Sequence, residues 1–520
     1  MDTNIEAKST RQIKIGAIIS YLALALDVVA GLIYTPWIIR QIGDSDYGLY
    51  TLATSLITMF MLDFGMSAAV AKFVSHYRAK GDQQGMNNFL GMIYKLYIIV
   101  SAVICTVLIV VFFNINQIYV KLTPSELGAF KVVYLIAASS MVLCFPFITL
   151  NGIMTAHEQF ARLKLADVFN KVVTILLTII ALLFGMGLYA LVGVHAIMNL
   201  LTIGVKWLMI RKTTKIKVNF RYSDKGMLKE ITGFSFWTTV QSIAQRFIFN
   251  ITPTVLGVVS GSVGITMFGL ASTLEGYVFK FSQAINGMFM PKISRATLDQ
   301  TTGEAVLPLM IKVGRIVLSI AGILIIGIVT LGQNFINVWL GDGYQVVYFC
   351  TVLLVLPAVF HLPQQVANTT VVVLNKVKSA GIVYTIMAGI NLILSFAFGH
   401  FWGAIGCSLS ICIAYFVRTL LMNVVFYKQL NINVFQFFKE CHGKMAIGLL
   451  LTLGIGFLIG NYVTVGSGWI SFLIQVVCLA VSYGVIMWLF GWNKYEKNLF
   501  SSAIGSVIKK QKKTTSKTNS

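Results

Sequence analysis

Residues 162–215 read RLKLADVFNKVVTILLTIIALLFGMGLYALVGVHAIMNLLTIGVKWLMIRKTTK. Between Lys171 and Lys206 this stretch has no Asp, Glu, Lys or Arg, and residues 168–209 hold two successive apolar runs. A bilayer core takes about 20 apolar residues per helix, so two crossings fit here, one near 168–187 and one near 188–209. Bases crowd the outer ends, from Arg162 to Lys171 and from Lys206 to Lys229, while the turn between the helices has none. Membrane insertion retains short basic loops on the cytoplasmic face, so the hairpin enters and returns with both ends inside.

The same alternation extends over the whole chain. Of 40 Lys and Arg residues, about thirty-five occupy every second gap between apolar runs, and the intervening gaps hold only Arg40, Lys121 and Lys131. The length criterion gives about fourteen spans, near 13–40, 47–71, 90–113, 129–152, 168–187, 188–209, 231–259, 263–290, 308–332, 344–369, 379–399, 402–427, 444–463 and 468–490. Both termini are expected inside the cell, on the cytoplasmic side of the membrane.

At 57% hydrophobic and 11% charged residues the chain is far from a soluble domain, which averages roughly a quarter charged. A net charge of +22 would suggest nucleic acid in a soluble protein, but retention of basic loops accounts for it here, and no nucleic-acid partner is expected. Seven cysteines, mostly within apolar runs and without ligand spacing, imply neither a disulfide framework nor a metal site. The polar start to Gln12 leads into a long apolar run with no small-residue cleavage site, so it is expected to stay as the first span. The tail from Lys509 to Ser520 is basic and lacks apolar residues.

An internal repeat organises the spans. Tyr34-Thr35-Pro36 returns as Ile251-Thr252-Pro253, Leu52-Ala53-Thr54-Ser55 as Leu270-Ala271-Ser272-Thr273, and the segment from Gly187 as the segment from Phe401, at offsets of 217, 218 and near 213. Each repeat holds six spans, an even number, so both copies insert in the same direction about an axis along the membrane normal. The expected fold is all-α and integral to the membrane: an N-lobe over 1–228, a C-lobe over 229–430, two further helices over 431–492, and a basic cytoplasmic tail over 493–520. Two parallel bundles of this kind can rock around a shared cavity, which favours a transporter. Pro36 and Pro253 interrupt the first helix of each repeat at equivalent places, as hinges or as static kinks.

Charges inside spans point to the site, since each costs roughly 2.5–3.5 kcal/mol at mid-depth and needs a cavity or a partner. They are Asp27, Asp63, Arg246, Glu275 and Lys280. Ser20, Asp27 and Tyr34 share a face of the first helix, and Gln241, Ser242, Gln245, Arg246 and Asn250 form a polar stripe on the seventh. Arg246 and Lys280, with Gln241, Gln245 and Asn250, are the candidate substrate-binding set for an anionic head group, arginine being suited to bidentate phosphate contact. Asp27, Asp63 and Glu275 are the candidates for coupling to a proton or sodium ion. The competing reading is structural, with Asp27–Arg246 or Asp63–Lys280 as salt bridges. His195, His361 and His400 are expected to pack or hydrogen-bond. Gly257 and Gly261 read as packing or a turn. No Walker-type loop, metalloprotease motif or nucleophile elbow occurs, so neither a cofactor nor an enzymatic activity is expected.

The stretch Ile42-Gly43-Asp44-Ser45-Asp46-Tyr47-Gly48-Leu49-Tyr50, with Leu62-Asp63-Phe64-Gly65, Lys72-Phe73-Val74 and Gly81-Asp82, resembles the start of the polysaccharide transporters. These are the Wzx-type flippases of O-antigen and capsule repeat units, relatives of the multidrug and toxin extrusion (MATE) exporters and the lipid II flippases. The resemblance implies two six-helix lobes around a V-shaped cavity. It also implies transfer of undecaprenyl-pyrophosphate-linked oligosaccharide to the outer leaflet, driven by an ion gradient. Its implied partners are that lipid-linked substrate, membrane lipid, and a polysaccharide polymerase with its chain-length regulator. The Gly-Asp-x-x-Tyr-Gly segment is expected to form an exterior turn and helix start. The alternative function is a MATE-type multidrug or cation antiporter, which favours an acidic, aromatic cavity; a membrane polymerase or glycosyltransferase usually needs a sizeable loop for its catalytic groups, and no loop here is that long.

Overall fold

The computed structural model describes residues 24–61, 66–214, 216–298, 303–374, 376–464, 466–499 and 501, and these form helices and turns with no strand among them. The helices are α1 (24–42), α2 (Asp44–Phe60), α3 (Met66–Lys80), α4 (Gln83–Ile118), α5 (Pro124–Ala156), α6 (Phe160–Leu183), α7 (Gly187–Thr213) and α8 (Lys225–Val259). They continue as α9 (Ser262–Leu298), α10 (Gly303–Trp339), α11 (Gln345–Val373), α12 (Val377–Leu430), α13 (Val434–Tyr462) and α14 (Trp469–Gly491).

Among the described residues ten helices are long and apolar enough to cross a membrane, and they fall on the runs read from the sequence. One of them, α12, reaches 54 residues because two helices meet at Gly403, whose φ of 53° and ψ of −127° are not helical. At 1.5 Å per residue each half is long enough to cross alone. The protein is a multi-pass membrane protein. Residues 13–23 of the first expected span and 62–65 of the second lie outside the described residues.

Packing groups the chain into two units, one within Met1–Thr273 and Val377–Arg418, the other within Leu274–Lys376 and Thr419–Ser520. Their boundaries differ from the repeat boundaries at 228 and 430. In the first unit the chain reverses between α1 and α2 at Gly43, at φ +86°, which suits a residue without a Cβ. Asp44 and Asp46 then sit in the first turn of α2, where the helix dipole favours negative charge. The Gly-Asp-x-x-Tyr-Gly segment packs: Tyr47, Gly48 and Leu49 are buried, and a Cβ on Gly48 would lie 2.2 Å from the Ser262 carbonyl oxygen.

Thr123, Pro124 and Glu126 start α5 with a capping box, Glu126 Oε2 accepting from the Thr123 backbone N–H at 2.7 Å. The other oxygen of Glu126 accepts from Ser262 Oγ at 2.5 Å and from Ser45 Oγ, tying the starts of α2, α5 and α9 together. Gly257 lets α8 approach Tyr119, and Gly261 makes the following turn at φ +88°.

In the second unit α10 packs on α11, α13 and α14. A buried Arg315–Glu496 pair locks that packing. Arg315 Nε and Nη2 donate to the two Glu496 carboxylate oxygens at 2.5 and 2.8 Å, and the guanidinium also donates to the Glu440 and Gly491 carbonyls at 2.9 and 2.8 Å.

Candidate functional site

On α8 the spacing of Gln241, Ser242, Gln245, Arg246 and Asn250 places polar groups along one stripe of its membrane-crossing part, Thr239–Val259, and the helix continues through Pro253. Ser242, Gln245, Arg246 and Asn250, with Phe249, line a cavity of about 340 Å³. Gln241, Arg246 and Asn250 are half-buried and Gln245 is exposed. Arg246 Nη1 donates to the Thr58 carbonyl at 3.2 Å, which fixes the guanidinium against α2, and Asn250 Nδ2 donates back to the Arg246 carbonyl at 3.0 Å. A guanidinium carries five N–H donors in a planar fork, so one bond to a carbonyl leaves donors with geometry suited to phosphate.

Lys280 and Glu275 lie in the part of α9 that belongs to the second unit. The Lys280 side chain is exposed, with Nζ 5.5 Å from the centre of the Tyr277 ring, and Glu275 is half-buried. Asp63 lies outside the described residues, and with it the Asp63–Lys280 pairing. Pro36 and Pro253 are both buried within helices.

Asp27 departs from its expected alternative partner: its carboxylate pairs with Lys171 of α6 and not with Arg246. The reason lies in reach. Lys171, counted in sequence as a base of a cytoplasmic gap, stands midway along α6, and its long side chain brings an ammonium to α1.

A larger cavity, about 430 Å³, lies within the first unit between α2, α5, α6 and α7. Lys206, also counted as a loop base, is buried beside it at 8% exposure, held by Asp167 Oδ1 at 2.8 Å and Asn151 Oδ1 at 3.1 Å. Burying an ammonium needs such compensation. Asn170 Nδ2 donates to Thr202 Oγ1 at 2.5 Å and to the Met198 carbonyl at 3.0 Å, bridging α6 to α7. His195 hydrogen-bonds as expected, its Nε2 lying 3.4 Å from Tyr50 Oη. The sequence did contain a signal for this cavity. Asp167, Asn170 and Thr174 on α6, and Asn199, Thr202 and Lys206 on α7, recur at intervals of three and four and so line one face of each helix. Among the described residues no His, Cys, Asp and Glu cluster could hold a metal ion.

The chain matches the family described as polysaccharide biosynthesis protein over residues 14–297. No curated protein matches it in sequence. Among solved structures it is similar to the lipid II flippase MurJ in an inward closed conformation, at 16% identity and a TM-score of 0.68, over 93% of this chain and 98% of that one. It is also similar to an inward-facing multidrug resistance MATE family transporter of the MOP superfamily, at 15% identity and 0.64, over 80% and 98%. A third likeness is to the MATE multidrug transporter DinF-BH, at 19% identity and 0.57, over 81% and 95%. At these identities the likeness is one of fold.

Proposed function

Because the chain belongs to the polysaccharide biosynthesis protein family, we propose that it is a flippase for lipid-linked oligosaccharide, moving undecaprenyl-pyrophosphate-linked repeat units from the inner to the outer leaflet of a bacterial cytoplasmic membrane. The observation that carries this reading is Arg246: a guanidinium on a membrane-crossing helix, fixed by Thr58 and bordering a polar cavity. A flippase must shelter a pyrophosphate and hydroxyl-rich sugars from hydrocarbon while the prenyl tail stays in lipid. A fixed guanidinium supplies charge-assisted hydrogen bonds to the pyrophosphate, and Gln241, Gln245 and Asn250 supply neutral ones.

In this reading the repeats 1–228 and 229–430 alternate access, 431–492 adds two helices, Lys280 adds a second cation, and Asp63 and Glu275 are the remaining candidates for coupling to protons or sodium. Asp27 is compensated by Lys171 and is a weaker candidate. Both termini lie in the cytoplasm, no step is enzymatic, and a polymerase with its chain-length regulator receives the exported unit. The MATE-like alternative shares the fold but calls for an acidic cavity for cations; the arginine at the α8 cavity and the family membership favour the lipid-linked anion.

Deletion in the host, with lipid-linked repeat units assayed by leaflet, tests the reading. Trapping on the cytoplasmic leaflet with loss of surface polysaccharide is expected; unchanged polysaccharide together with new drug sensitivity would favour the antiporter instead.

A further inference from the structure

The cavity between α2, α5, α6 and α7 lies apart from the stripe on α8, yet the two adjoin. Thr58 lines that cavity, and its carbonyl is the acceptor for Arg246 Nη1 at 3.2 Å. The guanidinium therefore touches a residue of the cavity's lining without itself lining the cavity. A phosphate bound by Arg246 would place whatever is attached to it beside the cavity.

The lining says what that attachment is. Among the described residues its only Asp, Glu, Lys or Arg side chains are Asp167 and Lys206, which neutralise each other at 2.8 Å, so the cavity offers no uncompensated charge to an ion. Its remaining polar groups are the His195 imidazole, which hydrogen-bonds Tyr50, and amides and hydroxyls, among them Thr54, Asn151, Asn199 and Thr202. An amide presents two donors and an acceptor, and a hydroxyl both donates and accepts, which is the pattern needed to pair with ligand hydroxyls that also do both. Ile57, Met141 and Phe147 supply apolar surface between them, suited to the C–H faces of a sugar ring. A volume of about 430 Å³ lies in the usual range for small-ligand sites, roughly 300–1,000 Å³. A prenyl tail would offer no partner to the cavity-exposed Thr54 hydroxyl and Asn199 amide, which disfavours it.

We propose that this cavity is a subsite for uncharged sugar, holding the saccharide next to the pyrophosphate while the adjoining Arg246 holds the phosphate. The inference rests on the flippase reading and adds to it a place for the sugar and a basis for sugar discrimination. Asn199 and Thr54 are the residues to test, because both are exposed in the cavity and neither lies in the Asp167–Lys206–Asn151 network that holds the helices together.

The experiment uses the full-length protein purified in detergent, with binding read by native mass spectrometry. Two probes are compared: bare undecaprenyl pyrophosphate, and undecaprenyl-pyrophosphate-linked oligosaccharide extracted from the producing host. Wild type is expected to bind the sugar-bearing lipid more tightly than the bare one. Asn199→Leu and Thr54→Val should each weaken binding of the sugar-bearing lipid roughly three- to tenfold, as expected for one lost hydrogen bond. Both variants should bind the bare lipid as wild type does, which also certifies that they fold, while Arg246→Ala should weaken both lipids. If the variants bind the sugar-bearing lipid like wild type, or lose both lipids equally, the subsite is overturned and the flippase reading stands. If wild type binds neither lipid, the flippase reading falls and the subsite with it.

Discussion

Arg315→Leu is expected to be among the most destabilising single substitutions in the second unit. The Arg315 and Glu496 side chains are 4% and 5% exposed, so water cannot replace what either one loses. Removing the guanidinium deletes four hydrogen bonds: two to the Glu496 carboxylate and one each to the Glu440 and Gly491 carbonyls. Glu496 is then a buried carboxylate left chiefly with the Asn493 backbone N–H at 2.9 Å. Stranding one partner of a buried pair costs about 3–5 kcal/mol, and Glu496→Gln, which keeps the shape but removes the charge, should cost a smaller part of that. Replacing both partners by apolar residues of similar volume is often nearly neutral, so Arg315→Leu with Glu496→Leu should be more stable than either leucine variant alone. Thermal unfolding in detergent, followed by tryptophan fluorescence, reads the cycle, and Trp492 lies beside the pair with Nε1 donating to Ser319 Oγ at 3.1 Å. Single variants that unfold within about 1 °C of wild type, or a double variant with additive losses, would refute the reasoning.

Three further outcomes are expected. Arg246→Ala should abolish complementation of a deletion strain at normal membrane protein levels, with Arg246→Lys in between because lysine keeps the charge but loses the planar fork; normal complementation by the alanine variant would remove Arg246 from the site. Gly48→Ala should lower stability by about 1–3 kcal/mol or more, because its Cβ would meet the Ser262 backbone oxygen at 2.2 Å, and an unchanged melting temperature would show that α2 and the start of α9 are not in close contact. His157 lies in the turn between α5 and α6, where burial, assisted by nearby Arg78, lowers its pKa below the usual 6.5 against the opposing hydrogen bond to the Ile153 carbonyl. Its neutral form is the one that folding favours, so that contribution is complete above about pH 6.5 and is lost as pH falls toward the folded pKa. Melting temperatures of wild type and His157→Asn should therefore converge as the pH drops from 8 to 5, and parallel curves would count against it.

Helix positions were legible in the sequence because hydrocarbon imposes a length and a composition on every crossing, as residues 162–215 illustrate. Glycine function was legible in part: Gly43 and Gly261 take the positive φ that turns require, whereas the break at Gly403 lies inside the run expected at 402–427, next to its start. The polar stripe on α8 was readable from spacing alone. The larger cavity is not legible from charge because Asp167 and Lys206 fall in stretches read as cytoplasmic gaps and its other polar residues carry no fixed charge, so a search for buried charge passes over Asn170, Asn199 and Thr202. Lys171 and Lys206 misled for a related reason. The rule that places bases in cytoplasmic loops is a rule about sequence position, whereas Lys171 and Lys206 stand within α6 and α7, where their long stems reach the carboxylates of Asp27 and Asp167.

The most direct test of flippase activity is reconstitution of the purified full-length protein into liposomes containing fluorescent undecaprenyl-pyrophosphate-linked oligosaccharide, with a membrane-impermeant quencher reporting the fraction in the outer leaflet over time under an imposed ion gradient. Protein-dependent transfer between leaflets, removed by Arg246→Ala, is the expected result. Equal rates in protein-free and protein-containing liposomes, or transfer by Arg246→Ala at the wild-type rate, would contradict it.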